Sequence, residues 1–285
     1  MPEQIEALVK AELLTWARDA AGLSVKEAAQ KVHVAPQRLE QWERGERRPT
    51  INQLFKLADA YKRPLGVFFL PQPPAEEPGP PDFRRFHTPR GAALSPELRL
   101  AIRTAHLKRR TALELFNDLG QKPPSISVQA QLGQDPEQVA ADLRRKLGTN
   151  PNFAGDARQH FNHWRSTLEA AGVLVFQAEK IDVEEMRGFS ITDRPLAVVV
   201  VNIKDAFAAK TFSLFHETAH ILLGKSGLCN FEEDDDPDPQ RVEVFCNHVA
   251  GAMLVPPTTD YTDGTDKKIA SAHDVFHPRR ALLGS

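Results

Sequence analysis

The sequence predicts an α+β chain, mainly helical: an all-α N-terminal domain followed by a second domain whose helices enclose a small sheet. Three observations carry that prediction. Apolar residues recur at helical spacing through most of the chain, β-branched-rich runs appear only after residue 172, and a proline-rich stretch, LPQPPAEEPGPP at 70–81, separates the two halves. At 285 residues the chain is long enough for more than one core. With 41% hydrophobic and 26% charged residues, the composition excludes a collagen-like or wholly disordered chain. The opening MPEQIEALVKAELLTW mixes charges into its apolar positions, which excludes a signal peptide. The longest apolar run, LAVVVV at 196–201, falls far short of the roughly 20 residues a membrane span needs. Two cysteines, Cys229 and Cys246, cannot build a disulfide framework, so a reducing, cytoplasmic location and no membrane partner are expected. The net charge of −2 argues against a nucleic-acid coat, although an average over domains can hide a basic face.

Residues 1–70 read as short helices punctuated by Gly22-Leu23-Ser24 and His33-Val34-Ala35-Pro36. Ser24 is placed to cap a helix that begins at Val25, with Glu27 completing a capping box. Gly45 closes the next helix, about Pro36 to Arg44. Residues 71–82 form the linker, because repeated proline removes backbone donors and biases preceding residues away from helix. The second domain, 83–285, opens with a helix over Pro96–Leu119 that offers Leu98, Ile102, Ala105, Leu113 and Phe116 for burial. A break at Pro123-Pro124 precedes helices at Pro136–Leu147 and Ala157–Ala171, the latter capped by Gly172. Strands follow at Val173–Gln177 and Leu196–Asn202. The acidic run Glu232–Asp238 is a solvated loop between the last two helices, and no internal repeat is present.

The chemistry concentrates in FSLFHETAHILL at 212–223. His216 and His220, four apart on a helix, project from one face and can share one metal ion, with Glu217 beside the open coordination position. Zinc held by three protein ligands lowers the pKa of its bound water to about 7, and Glu217 can accept the proton as that water attacks a peptide carbonyl. The third ligand is expected from the helix RVEVFCNHVAGAMLVPP at 241–257. Glu243 is the choice, with Asn247 one turn later placed to hydrogen-bond a ligating histidine, and His248 is the rival on another side of the helix. The metzincin spacing fails, since Leu223 and Ser226 stand where glycine and histidine are required. A His, His, carboxylate set also suits iron or manganese, but the flanking general base favours Zn2+.

Together with this motif, Phe83-Arg84 (in DFRRF), GVLVF at 172–176, MRGFS at 186–190, VVN at 200–202 and Glu243 to Pro256 resemble the ImmA/IrrE family of metallopeptidases, over roughly residues 80–257. The resemblance implies a zincin-like domain, zinc at His216, His220 and Glu243, Glu217 as general base, and cleavage of a helix-turn-helix repressor to switch genes on. Two departures stand out: Lys210 where an arginine is common, and Thr218-Ala219 where a bulkier apolar and a small residue are usual. Relatives often continue past the position of Ser285 with a further helical region.

Residues Leu13 to Leu70 resemble a helix-turn-helix domain of the λ-repressor or Xre type, carried by Arg18, Gly22-Leu23-Ser24, Ala28-Ala29, Val34, Leu39, Trp42-Glu43-Arg44-Gly45, Pro49-Thr50 and Leu54 to Ala58. The helix from Pro36 is then the recognition candidate. Gln37, Arg38 and Gln41 would reach base edges, and Lys26, Arg47 and Arg48 would contact phosphates. Residues 1–70 hold eleven Lys or Arg against nine Asp or Glu, so charge alone would not suggest DNA. Trp42 and Leu57 read as core, and a homodimer is the expected route to useful DNA affinity.

The combined reading is a zinc endopeptidase delivered to an operator, where it cleaves a repressor or antitoxin. The alternative is a metal-stabilised transcriptional regulator or antitoxin with little protease activity, and self-cleavage in the linker is a third course. Cys246, on the helix of Glu243, reads either as a buried apolar residue or as a redox handle on the metal.

Overall fold

The computed structural model describes residues 5–74, 94–148, 155–224 and 239–255. The N-terminal unit comprises α1 (Ala11–Ala20), α2 (Val25–Val32), α3 (Pro36–Glu43), α4 (Ile51–Ala60) and a 3-10 turn at Leu65–Phe69. Short helices depend on their ends, and two of these carry full capping boxes, Ser24 with Glu27 at α2 and Thr50 with Gln53 at α4. The Arg18 guanidinium donates to both Glu43 carboxylate oxygens, at 2.7 and 3.0 Å, and so ties α1 to α3. Leu13, Leu39, Trp42, Leu54, Leu57 and Phe68 close a core drawn entirely from residues 7–68.

The following part holds α5 (Pro96–Asp118), α6 (Pro136–Leu147), α7 (Ala157–Ala170), β1 (Val173–Ala178), β2 (Gly188–Ile191), β3 (Ala197–Asn202), α8 (Phe207–Leu223) and α9 (Pro239–Leu254). The strands lie in the order β1-β3-β2, with β1 parallel and β2 antiparallel to β3. Central β3 is buried at all six residues because both its faces are covered. Val199 and Val201 join a core with α6, α7, α8 and α9, while Val198 and Val200 join a second with Leu98, Ile102 and Ala105 of α5. A strand covered on both faces reads as a continuous apolar run, which is why β3 was legible. Strand β2, GFSI, was not predicted, since glycine and serine weaken its β signal; it too is wholly buried. Gly172 has φ +91, and a Cβ there would fall 2.4 Å from the Pro124 carbonyl oxygen, so only glycine fits this turn into β1.

The expected burial of α5 needs correction. Leu98, Ile102 and Ala105 are buried, but Leu113 and Phe116 are only partly so, because the helix runs on past the sheet that covers its first half. At that first half α5 meets the N-terminal unit: Arg103 donates to the Lys62 carbonyl at 2.9 Å, and Lys62 lies 3.9 Å from Glu97. Among the described residues no helix is long and apolar enough to cross a membrane. Phe83-Arg84, most of the proline-rich linker, Cys229, the acidic run, Pro256 and the chain end lie outside the described residues.

Candidate metal centre

Helix α8 is buried at almost every turn. From Lys210 to Leu222 only Phe212 is partly exposed, so polar groups here must find partners within the protein. Its C-terminal end is fixed by Arg194, which donates to the carbonyls of Ile221 (2.8 Å), Ile126 (2.9 Å) and Val128 (3.0 Å). Thr218 is fully buried and satisfies its hydroxyl by donating to the Leu214 carbonyl at 2.7 Å, so this departure is accommodated inside the helix. Lys210, also buried, donates to the Ile203 carbonyl at 3.1 Å and stands 4.1 Å from the Phe207 ring centroid. Lys210 is thus held at the start of α8 by the Ile203 carbonyl and the Phe207 ring.

Helix α9 packs on α8 through Val242, Phe245, Cys246, Val249 and Ala250, all buried. That places Glu243 and Asn247, one turn apart, against the histidines, whereas His248 lies on the exposed side. His216 Nε2 is 3.3 Å from Glu243 Oε2, His220 Nε2 is 3.3 Å from Glu243 Oε1, and the two Nε2 atoms are 3.2 Å apart. The Glu243 carboxylate thus offers a different oxygen to each of two adjacent imidazole nitrogens, and one ligand atom from each of the three residues lies within 4.8 Å of the others. Ligand atoms about 2.0–2.1 Å from a tetrahedral zinc stand about 3.3–3.4 Å from each other, which is close to the 3.2 Å between the two nitrogens and the 3.3 Å from each nitrogen to its nearer carboxylate oxygen. The residues fit a divalent cation.

The surroundings support the same arrangement. His216 Nδ1 lies 2.9 Å from Asn247 Oδ1, which favours the tautomer protonated at Nδ1 and turns the Nε2 lone pair towards His220 and Glu243. Burial alone would raise the Glu243 carboxyl, but hydrogen bonds from His216 and His220, and their charges, outweigh it and hold the group well below the usual carboxylate range. Burial likewise pushes His216 down, and the hydrogen bond to Glu243 with the charges of Glu217 and Glu243 more than reverses that, leaving it above the ordinary imidazole value. In this arrangement protons and a metal ion compete for one place.

Glu217 is 4% exposed, and Ser190 of β2 donates to its Oε2 at 2.9 Å. Gly188, on the same strand, lets that approach happen: a Cβ there would stand 3.2 Å from Glu217 Cγ. Neither residue was singled out individually by sequence reasoning. The signal available was their place in MRGFS, two residues apart, so that on a strand they share one face. Asn202, in VVN, was also not assigned a role. Its buried amide donates to the carbonyls of Ile181 (3.1 Å) and Met186 (2.8 Å), shaping the loop into β2.

In the N-terminal unit Leu39 and Trp42 anchor α3 in the core, while Gln37 and Arg38 are exposed and Gln41 is partly buried. Lys26, Arg47 and Arg48 are exposed. No curated protein and no solved structure gives a significant match to the chain. Two family models do match: a helix-turn-helix family over residues 14–68 and the IrrE N-terminal-like domain family over residues 168–261. The second match starts well after residue 80, at the end of α7, and covers the sheet, α8 and α9. Read from its N-terminus, the chain therefore carries an Xre-like helix-turn-helix domain followed by a peptidase domain of the IrrE N-terminal-like type.

Proposed function

We propose that this chain is a cytoplasmic, DNA-associated zinc metalloendopeptidase that regulates transcription by cleaving a repressor or antitoxin protein. The observation that most supports this reading is the cluster of His216, His220 and Glu243 with Glu217 on the same helix as the histidines. Its functional units are residues 1–70, the linker 71–82 and residues 83–285. Zinc held by the three side chains would act as a Lewis acid and lower the pKa of a bound water. Glu217 is the general base: it accepts the proton of the attacking water and returns it to the leaving amine. Ser190, donating to one carboxylate oxygen of Glu217, fixes the carboxylate plane and leaves the other oxygen to take the proton. Asn247 keeps His216 in the tautomer that can ligate. Gln37, Arg38 and Gln41 read base edges and Lys26, Arg47 and Arg48 contact phosphates, holding the peptidase beside an operator where its protein substrate is bound.

One observation favours a second reading. Glu217 is nearly buried and its carboxylate already has a partner, as suits a metal-stabilised regulator that binds DNA without cleaving protein. Metal content and proteolysis, measured together on the parent and on Glu217→Ala against helix-turn-helix proteins encoded by neighbouring genes, separate the two. Stoichiometric zinc in both, with cleavage by the parent only, is the expected result. Zinc in both with no cleavage, alongside tight operator binding, would overturn the peptidase in favour of the regulator. Incubation with zinc also tests self-cleavage, because fragments parting near residue 75 would reveal it.

A further inference from the structure

We propose that Phe212 is the wall of a subsite beside the metal centre and selects protein segments that present a large apolar side chain there. Phe212, His216 and His220 follow at steps of four along α8 and so share one stripe of the helix. The Phe212 ring stacks on the His216 imidazole, with ring centroids 6.4 Å apart and planes at 30°. From Lys210 to Leu222 it is the only residue of α8 that is partly exposed, although it also packs against the core shared by α7, α8 and α9. One turn earlier the stripe carries Ala208, exposed, and Ala209, half-buried, so the ring is the last large group on it before the histidines. Across from α8, Asn247 is exposed while bonding to His216, and the Glu243 side chain is 21% exposed. Phe212 and Asn247 both touch His216, so a molecule that reaches the candidate ligands past Glu243 and Asn247 meets the Phe212 ring.

The chemistry of the ring names the class of side chain. Covering the exposed part of an aromatic ring with an apolar group takes both surfaces out of water, and the gain rises with the area covered. A charged side chain would give up its water against a ring that offers it no hydrogen bond. Large apolar residues are mostly inside folded proteins, so the substrate is a segment that exposes one, such as an extended or locally unfolded stretch. The inference rests on the proposed reading of His216, His220 and Glu243 as ligands of a metal that meets a protein substrate. What it adds is the selection made one helical turn away, and neither matched family description assigns Phe212 a role.

The test uses two small hydroxamates, acetohydroxamate and phenylacetohydroxamate, which bind zinc through the same pair of oxygens and differ by one phenyl ring. Binding to the zinc-loaded full chain is read by calorimetry. The phenyl compound is expected to bind roughly tenfold more tightly or better. Phe212→Ala should bring the two to near parity, with zinc content and acetohydroxamate affinity unchanged. Equal affinities in the parent, or a preference that survives Phe212→Ala, would overturn the subsite and leave the metal reading standing. Failure of both compounds to bind a chain that holds zinc would overturn the peptidase reading itself, and the subsite with it. A second measurement needs no variant. A hydroxamate with a benzophenone tail, photolysed on the zinc-loaded parent, should label α8 in the turn that contains Phe212; labelling confined to other segments would sink the subsite even if Phe212→Ala does not fold.

Discussion

Helices α3 and α8 both carry candidate functional residues, and they do so in opposite ways. Helix α3 buries Leu39 and Trp42, ties Glu43 to Arg18, and leaves Gln37 and Arg38 exposed to solvent. Helix α8 buries nearly everything, including His216, Glu217 and His220. At α3 the candidate DNA contacts and the core residues are different side chains of one helix, so the two should be separable by mutation. At α8 they rest on the same residues, because a buried polar group must be partnered and its removal disturbs both chemistry and fold. A helix whose candidate contacts are exposed should tolerate substitution at them, whereas one whose candidate ligands are buried should not.

If His216, His220 and Glu243 hold a metal as proposed, its removal gives the largest effect this contrast predicts. A chelator should lower the melting temperature of the part spanning residues 94–255 by roughly 10 °C, as expected when an ion present far above its dissociation constant is withdrawn, and leave that of residues 7–68 in place. Calorimetry resolves the two transitions; equal shifts would break the contrast.

Trp42→Ala comes next. It should cost the N-terminal unit about 3–5 kcal/mol and abolish DNA binding, while zinc stoichiometry measured on the same sample stays unchanged. Loss of zinc as well would mean that the two parts fold as one.

Gln37→Ala and Arg38→Ala should each weaken operator binding by about 1–3 kcal/mol while changing stability by no more than about 0.5 kcal/mol. Arg47→Ala and Arg48→Ala should instead weaken binding to all sequences alike and reduce the salt slope by about 1 each. Binding isotherms at several salt concentrations distinguish the two groups; a large stability loss at Arg38 would show that α3 is not a tolerant surface.

The smallest effect is the pH response of the metal centre. In metal-free protein the raised His216 stabilises the fold below the ordinary imidazole value of 6.5, and that contribution is lost as pH rises through its higher folded value. The lowered Glu243 contributes above its ordinary 4.5 and is lost only well below that. Zinc held as proposed would reverse the upper limb, because it takes the deprotonated imidazole. Thermal melts from pH 6 to 8, with and without zinc, should therefore run in opposite directions.

Local pattern alone made much of this legible. The capping box at Ser24 and Glu27, the helix starting at Pro36, the cap region at Gly172 and the strand of valines at 197–202 are set by residues adjacent in sequence, where propensity and hydrogen-bonding chemistry act without distant help. His216 and His220 were legible as neighbours because four residues make about one helical turn. The C-terminal half of α5 misled, since helical spacing shows which residues share a face but not whether anything covers it.

The sequence by itself determined the two-part, mainly helical architecture, the helices that bear His216 and Glu243, and the polar face of α3, all of them consequences of local periodicity. Only the tertiary structure decided that β2 lies antiparallel on β3, that Gly188 and Ser190 meet Glu217, and that Glu243 rather than His248 stands with the histidines. Each of these joins groups on separate elements, and contacts across such gaps depend on how helices and strands pack, which no local pattern encodes.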